Sequence, residues 1–337
     1  MLVSRGRSLT ACCCVLALCG CRHFTPDRLP VRAPAGDPGL EAYRPAHGGW
    51  RLEIVPLAER SDRRREVCRF SFHALAHSEG DVRRVEGTLY RARGGAVGGR
   101  APLLCLTPIL AGAVDDYLAC RFFAWWATEE GMSAFYLHQD QDVQTVERDS
   151  LRLEEVIRES IQDNIRALDL LSRLDGVDPE SLGSIGISMG AIKNVALIAA
   201  EPRLKANVLC LGGADLPRVF ATSRERRVVR YVEKRAAWDR ITPRELALEL
   251  ATFLYAEPGR WAPAVGAERC LLFLGTLDDK VPYECGLDLW EKLGRPEAYF
   301  IPLGHYTGIA AAPFCARLMF RYFRGKFGEP LAGAWDA

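Results

Sequence analysis

Leu182-Gly183-Ser184-Ile185-Gly186-Ile187-Ser188-Met189-Gly190-Ala191-Ile192 is the stretch on which the fold turns. Leu182–Ile187 is a short apolar run of the kind that forms a strand covered on both faces of a sheet. Met189–Ala200 follows without a spacer and reads as a helix. The chain must therefore reverse at Ser188, within a Gly186-Ile187-Ser188-Met189-Gly190 pentapeptide whose small residues relieve crowding two positions before and after it. Such a turn exposes the Ser188 hydroxyl at the C-terminal edge of a sheet, near a helix N-terminus that favours developing negative charge.

Working outward, the same rhythm recurs. Upstream, Leu153, Val156, Ile157, Ile161, Ile165, Leu168 and Leu171 make one apolar stripe, predicting a helix over Leu151–Leu174. Strands are predicted at Pro102–Leu106 and Ser133–Leu137, with a helix at Tyr117–Thr128 between them. Downstream, strands are predicted at Ala206–Leu211, Arg269–Leu274 and Ala298–Pro302, with helices around Cys285–Leu293 and Ile309–Phe323. Alternating strands and helices of these lengths predict an α/β fold with a doubly wound, mostly parallel sheet. Pro217–Pro263 breaks the alternation with charged helical sequence and reads as a helical cap insertion. Before the first helix, Arg51–Leu57, Val67–Leu75 and Arg84–Arg91 read as strands, and Gly94–Gly99 as a hairpin-type loop. His23–Gly49 carries five Pro and little periodicity, so it reads as a tether. The expected organisation is a signal at residues 1–20, a Pro-rich tether at 21–49 and one domain at 50–330.

The composition of the 337 residues is that of an ordinary globular chain, 49% apolar and 26% charged, which excludes disordered, collagen-like and coiled-coil classes. A net charge of +1 gives no reason to expect a nucleic-acid partner. Only six of the 44 Lys and Arg residues are Lys, a bias that a GC-rich genome explains. Cys68, Cys105, Cys120, Cys210, Cys270, Cys285 and Cys315 are singly placed, with no spacing for zinc or redox chemistry; several lie in apolar runs and read as core. His23, His47, His73, His77 and His138 lack metal-ligand spacing with a partner, so no metal is expected. Trp125, Trp126, Trp261 and Trp290 read as core or groove-lining residues. Neither a phosphate loop nor a dinucleotide fingerprint is present, and no cofactor is expected.

Two further loops complete a chemical set. Gly275-Thr276-Leu277-Asp278-Asp279-Lys280-Val281-Pro282 and Leu303-Gly304-His305-Tyr306 each follow a predicted strand. The order Ser, Asp, His, each just past a strand end, resembles the α/β-hydrolase superfamily, with its GxSxG elbow, GxxDxxVP acid loop and GH histidine loop. Within it, the chain is most similar to the dienelactone-hydrolase-like and serine-esterase branch, over roughly residues 84–325. The resemblance implies Ser188 as nucleophile, His305 as base and Asp278 as acid. Asp279, one residue along, and Asp215, after an earlier strand, are the alternative acids. It also implies an oxyanion hole with Met189 N–H as one donor. The sequence departs from the family at Thr107-Pro108-Ile109-Leu110, where Pro108 has no N–H; the second donor is expected to be Ile109, with Leu110 the alternative. Asp115 and Asp116 beside this loop read as the start of a helix.

At the N-terminus, Arg5 and Arg7 precede an apolar stretch, Ser8–Gly20, too short to cross ~30 Å of hydrocarbon. Leu18-Cys19-Gly20-Cys21 resembles the bacterial lipoprotein signal, which implies cleavage before Cys21 and acylation of that residue. Several acyl chains together make a stable membrane anchor, and Arg22 in second place points to the outer membrane of the cell envelope. The expected protein is a lipid-anchored serine hydrolase acting on a small-molecule carboxylic ester. The same superfold also hosts peptidases, thioesterases, acyltransferases and noncatalytic binding scaffolds. With no long apolar lid in the insertion, short acyl chains are the expected preference.

Overall fold

The computed structural model describes residues 22–24, 39–45, 51–75, 82–93, 99–108, 117–138 and 150–328. Among them, ten strands join one sheet: β1 (Arg22–Phe24), β2 (Glu53–Pro56), β3 (Arg65–Leu75), β4 (Val82–Ala92), β5 (Ala101–Thr107), β6 (Ser133–Leu137), β7 (Val177–Ile187), β8 (Leu204–Cys210), β9 (Cys270–Gly275) and β10 (Glu297–Ile301). Their order is β1-β10-β9-β8-β7-β5-β6-β4-β3-β2. The strands from β10 through β6 in this order are parallel to their neighbours, and both flanks are antiparallel. This is the mostly parallel, doubly wound sheet expected from the sequence.

Helices cover both faces, and the central strands show why they read as unbroken apolar runs. Successive side chains point to opposite faces. On β5, Leu103 and Cys105 enter the core packed by α2 (Ser150–Leu171), α3 (Met189–Ala200) and α8 (Tyr283–Lys292). Leu104 and Leu106 enter the other core, packed by α1 (Leu118–Glu129) and α9 (Ala312–Phe327). The sheet grows one way from β5 to β6 and the other way from β5 to β7. The C-terminal ends of β5 and β7 therefore flank the switch point, where open α/β sheets form their crevice.

The insertion between β8 and β9 holds α4 (Leu216–Thr222), α5 (Arg226–Asp239), α6 (Pro243–Phe253) and α7 (Pro258–Val265). A capping box formed by Thr242 and Glu245, with Pro243 in the first turn, starts α6. Arg235, buried on α5, donates to Asp239 at 2.7 Å, Glu249 at 2.8 Å and Ser150 at 3.1 Å, fastening the insertion to the head of α2. At the C-terminus, α9 starts later than the sequence suggests, because a 3₁₀ turn occupies Thr307–Ala311. It runs on to Phe327, with Arg324 and Lys326 in its last turn and Gly328 at a left-handed φ of 76° beyond it.

The Pro-rich stretch read as a tether contains two packed pieces, which corrects that expectation for the described residues. β1 pairs with the edge of β10, and the His23 ring stacks on Tyr299 with centroids 4.2 Å apart. Residues 39–45 lie against α2, α3 and α7. Tyr43 is fully buried, edge-on to Trp261, and its hydroxyl donates to Glu154 at 2.5 Å. Gln162 Nε2 donates to the Ala42 carbonyl at 2.9 Å, and Arg44 Nε to that of Ala200 at 3.2 Å. Proline density concealed a segment whose aromatic body fills the core and whose polar tip has a partner. Residues 46–50, Gly94–Gly98, His77, Ile109–Asp116 and the signal with Cys21 lie outside the described residues.

Burial raises the Glu154 carboxyl above its ordinary value of 4.5, while the Tyr43 hydroxyl and the Ala256 amide pull it back. With the folded pKa raised, Glu154 favours the native state fully below about pH 4.5, and this contribution is lost as pH rises through the folded pKa. Tyr43→Phe removes a donor to the ionised form. It is expected to cost about 1.5–3 kcal/mol at pH 7 and distinctly less near pH 4.5, as read by denaturant unfolding at the two pH values. An equal loss at both would show that packing alone is affected.

Candidate active site

Ser188 joins β7 to α3 at φ 56° and ψ −122°, a left-handed backbone that a non-glycine residue adopts only when its surroundings enforce it. Its own N–H donates to the Cys210 carbonyl at 2.8 Å, and its carbonyl accepts from Ile192 at 3.0 Å. The turn also needs its flanking glycines. A Cβ on Gly186 would lie 2.7 Å from the Ala191 Cα and the Gly190 carbonyl oxygen. One on Gly190 would lie 2.1 Å from the Thr107 carbonyl oxygen and 2.6 Å from that of Pro108. Helix α3 thus sits flush on the end of β5.

His305 is buried in the loop after β10, and its Nε2 lies 2.8 Å from Ser188 Oγ. Its Nδ1 lies 2.7 Å from Asp278 Oδ2. An ionised carboxylate only accepts, so Nδ1 carries the proton and Nε2 is left to accept from the serine hydroxyl. The other oxygen of Asp278 accepts from the backbone of Lys280 at 2.9 Å and of Val281 at 3.1 Å. The carboxylate is therefore fixed on both sides, buried, and aimed at the imidazole.

The two alternative acids lie elsewhere. Asp279 is half exposed; its carboxylate is 3.4 Å from Lys280 Nζ and 3.8 Å from Arg224. Asp215 caps α4, accepting from the Arg218 N–H at 3.2 Å. Its own N–H donates to Glu257, whose two oxygens also take the Leu216 and Gly259 amides.

Met189 opens α3, so its N–H belongs to the first turn and has no partner within the helix. The expected second oxyanion donor, Ile109, and its alternative Leu110 lie outside the described residues, as do Asp115 and Asp116. Thr107 before them was not singled out in the sequence. It is buried, and its hydroxyl donates to the carbonyls of Gly190 at 3.0 Å and Ile185 at 3.3 Å, tying the start of that loop to the elbow. A hydroxyl residue ending an otherwise apolar strand, directly before the loop, was the available signal. The contact of the insertion with the acid loop, described below, had no sequence signal.

The remaining candidates take structural places. His138 bonds Thr88 at 2.9 Å, Trp261 is core, and Trp125 lies under the Arg65 guanidinium at 4.9 Å. The seven cysteines among the described residues are all buried, and Cys105 Sγ donates to Asn164 Oδ1 at 3.2 Å. Burial pushes the Cys120 and Cys270 thiols up to about 12, so they hold no reactive thiolate. Among the described residues, no group of His, Cys, Asp and Glu could hold a metal ion.

No protein-family model matches the chain, and no curated protein matches its sequence. Solved structures do. The acetyl xylan esterase from Paenibacillus sp. R4 is similar with a TM-score of 0.63 and 18% identity, over 86% of this chain and 92% of that one. Acetyl xylan esterase 1 from Thermoanaerobacterium sp. JW/SL YS485 gives a TM-score of 0.59 and 16% identity, over 81% and 88%. A 2,6-dihydroxy-pseudo-oxynicotine hydrolase gives 0.51 and 16%, over 75% and 69%. At such identities the likeness concerns the fold, and the chain carries that of the α/β-hydrolases.

Proposed function

We propose that the protein is a serine hydrolase that cleaves carboxylic esters through an acyl-enzyme, held at a membrane by lipid on Cys21. The observation that carries this reading is the continuous relay from Ser188 through His305 to Asp278, at 2.8 and 2.7 Å, on a strained strand–helix elbow. Two structural neighbours bear the name acetyl xylan esterase, which supports an ester as the acyl donor.

In this mechanism Ser188 Oγ attacks the ester carbonyl as its proton passes to His305 Nε2. The oxyanion is taken by the Met189 N–H and by a second amide from the loop after Pro108. Asp278 holds the imidazole in its tautomer and balances the imidazolium. His305 then protonates the departing alkoxide, and the acyl-enzyme remains. A water molecule gives a proton to the same nitrogen, attacks the acyl carbon and restores Ser188.

The purified domain tests this with p-nitrophenyl acetate, butyrate and octanoate beside a peptide amide and a thioester. The expected result is a maximum kcat/KM at acetate or butyrate, at least about tenfold above octanoate, as a pocket too short for the longer chain would give. A maximum at octanoate reverses the chain-length reading, and faster cleavage of the amide or thioester replaces the ester reading. Among the described residues no helix is long and apolar enough to cross a membrane, so the proposed attachment rests on Cys21. Cys21→Ala is expected to abolish incorporation of labelled palmitate and to move the protein out of the membrane fraction. Retention with unchanged labelling would remove Cys21 from that role.

A further inference from the structure

We infer that the leaving-group side of the site receives an ester whose alcohol half is a ring, seated against Tyr306. The inference rests on the ester-hydrolase reading and specifies its substrate class.

Proton delivery sets the direction. His305 Nε2 has to protonate the leaving oxygen, which places that oxygen within hydrogen-bond reach of the imidazole. The alcohol half of the ester therefore stands on the His305 flank. The acyl half faces the Met189 end of α3 and the end of β5, where Met189 and Thr107 are buried. The two halves of the substrate meet different surroundings.

On the His305 flank, three large apolar side chains are turned outward: Tyr306 is 56% exposed, Leu277 68% and Ile309 71%. Backbone bonds draw them into one rim, Leu277 N–H donating to the Leu303 carbonyl and Ile309 N–H to that of Tyr306, each at 3.2 Å. The Tyr306 ring stands 5.5 Å from the imidazole, nearly perpendicular to it at 85°. Leu277 belongs to the acid loop and Tyr306 to the histidine loop, so the rim is continuous with the reacting groups. A rim of this kind gains free energy by covering the apolar body of a substrate.

The ring is also held in place. Its hydroxyl donates to Glu225 at the head of α5, and Lys280 Nζ stands 6.0 Å from its centroid. The insertion loop is tied in turn to the acid loop. The Ser223 hydroxyl donates to the Lys280 carbonyl at 2.6 Å, Arg224 N–H to that of Asp279 at 2.9 Å, and Lys280 Nζ to that of Arg224 at 2.9 Å. A fixed aromatic face loses little entropy when a flat partner settles on it. The charged groups at the ring, Glu225 and Lys280, offer partners to hydroxyls on that partner's edge. A small acyclic alcohol would leave the rim uncovered.

The test compares three acetates that share one acyl group and a secondary-alcohol leaving group: isopropyl acetate, cyclohexyl acetate and a methyl pyranoside monoacetylated at a secondary hydroxyl. The expected kcat/KM for at least one ring ester exceeds that for isopropyl acetate by about tenfold or more. Tyr306→Ala is expected to reduce that ratio about tenfold, and Tyr306→Phe, which keeps the ring, to hold it within about threefold. Preference for the pyranoside assigns a polyhydroxy ring, and preference for cyclohexyl an apolar one. No ring preference in the unmodified protein overturns the inference. So does an equal loss on ring and acyclic esters in Tyr306→Ala, since the ring would then act only through His305. Failure to hydrolyse any acetate overturns the ester reading itself, a result distinct from both.

Discussion

Asp278→Asn is expected to lower kcat by about 10⁴ while leaving the fold intact, and Asp279→Asn to change it by less than about tenfold. The two residues are neighbours on one loop and carry the same charge, so the contrast isolates geometry. Asp278 Oδ2 is 2.7 Å from His305 Nδ1, and its other oxygen is held by two backbone amides. Asparagine there presents either an amide N–H, which forces the imidazole into the wrong tautomer, or a neutral oxygen that cannot balance the imidazolium. The size of the loss is that seen for the equivalent change in a serine protease. Asp279 instead faces Lys280 and Arg224 at the surface, where an exposed ion pair is worth about 1 kcal/mol or less. Equal damage from both substitutions would mean that the loop itself collapses. The reverse order would make Asp279 the acid.

Gly190→Ala is expected to destabilise the protein by about 3 kcal/mol or more and to lower kcat by at least about 10² in whatever folds. The added Cβ would stand 2.1 Å from the Thr107 carbonyl oxygen, and the obstacle is backbone that can yield only by parting α3 from the end of β5. That movement would carry the Met189 amide away from its place beside the end of β5, and with it one donor of the proposed oxyanion site. Gly325→Ala supplies the comparison. Nothing lies within 4 Å of a Cβ there, the residue is in α9, and the change is expected to stabilise by about 0.5–1 kcal/mol. Thermal unfolding and turnover of the two variants check both statements. A Gly190→Ala protein with ordinary stability and turnover would show that the close approach is not needed.

Much of this was legible in the sequence because the information is local. Ser188, Asp278 and His305 each stand just past a strand end, and a parallel sheet brings successive strand ends to one edge. Strand boundaries were less legible where polar residues take part. β7 begins at Val177, before Asp178-Pro179-Glu180, and reaches β5 through a register shift between Ala101 and Leu103. The docking of Tyr43 on Glu154 and Trp261 joins residues far apart in the chain and leaves no periodicity. The ties from Ser223, Arg224 and Glu225 to the acid and histidine loops are of the same non-local kind. Thr107 is intermediate: its position before the expected oxyanion loop was visible, but its bond to Gly190 required the packing of α3 on β5.

The most direct measurement of the central claim is labelling of the folded, purified protein with a fluorophosphonate, followed by mapping of the modified residue by mass spectrometry. The reagent phosphonylates an activated serine hydroxyl and expels fluoride, so it reports the relay without any choice of substrate. Stoichiometric modification of Ser188 is expected, with none in Ser188→Ala and slowing by at least about 10² in His305→Ala, where the base is missing. An unmodified Ser188 in folded protein, or undiminished labelling of Ser188→Ala, would contradict the assignment of Ser188 as the nucleophile.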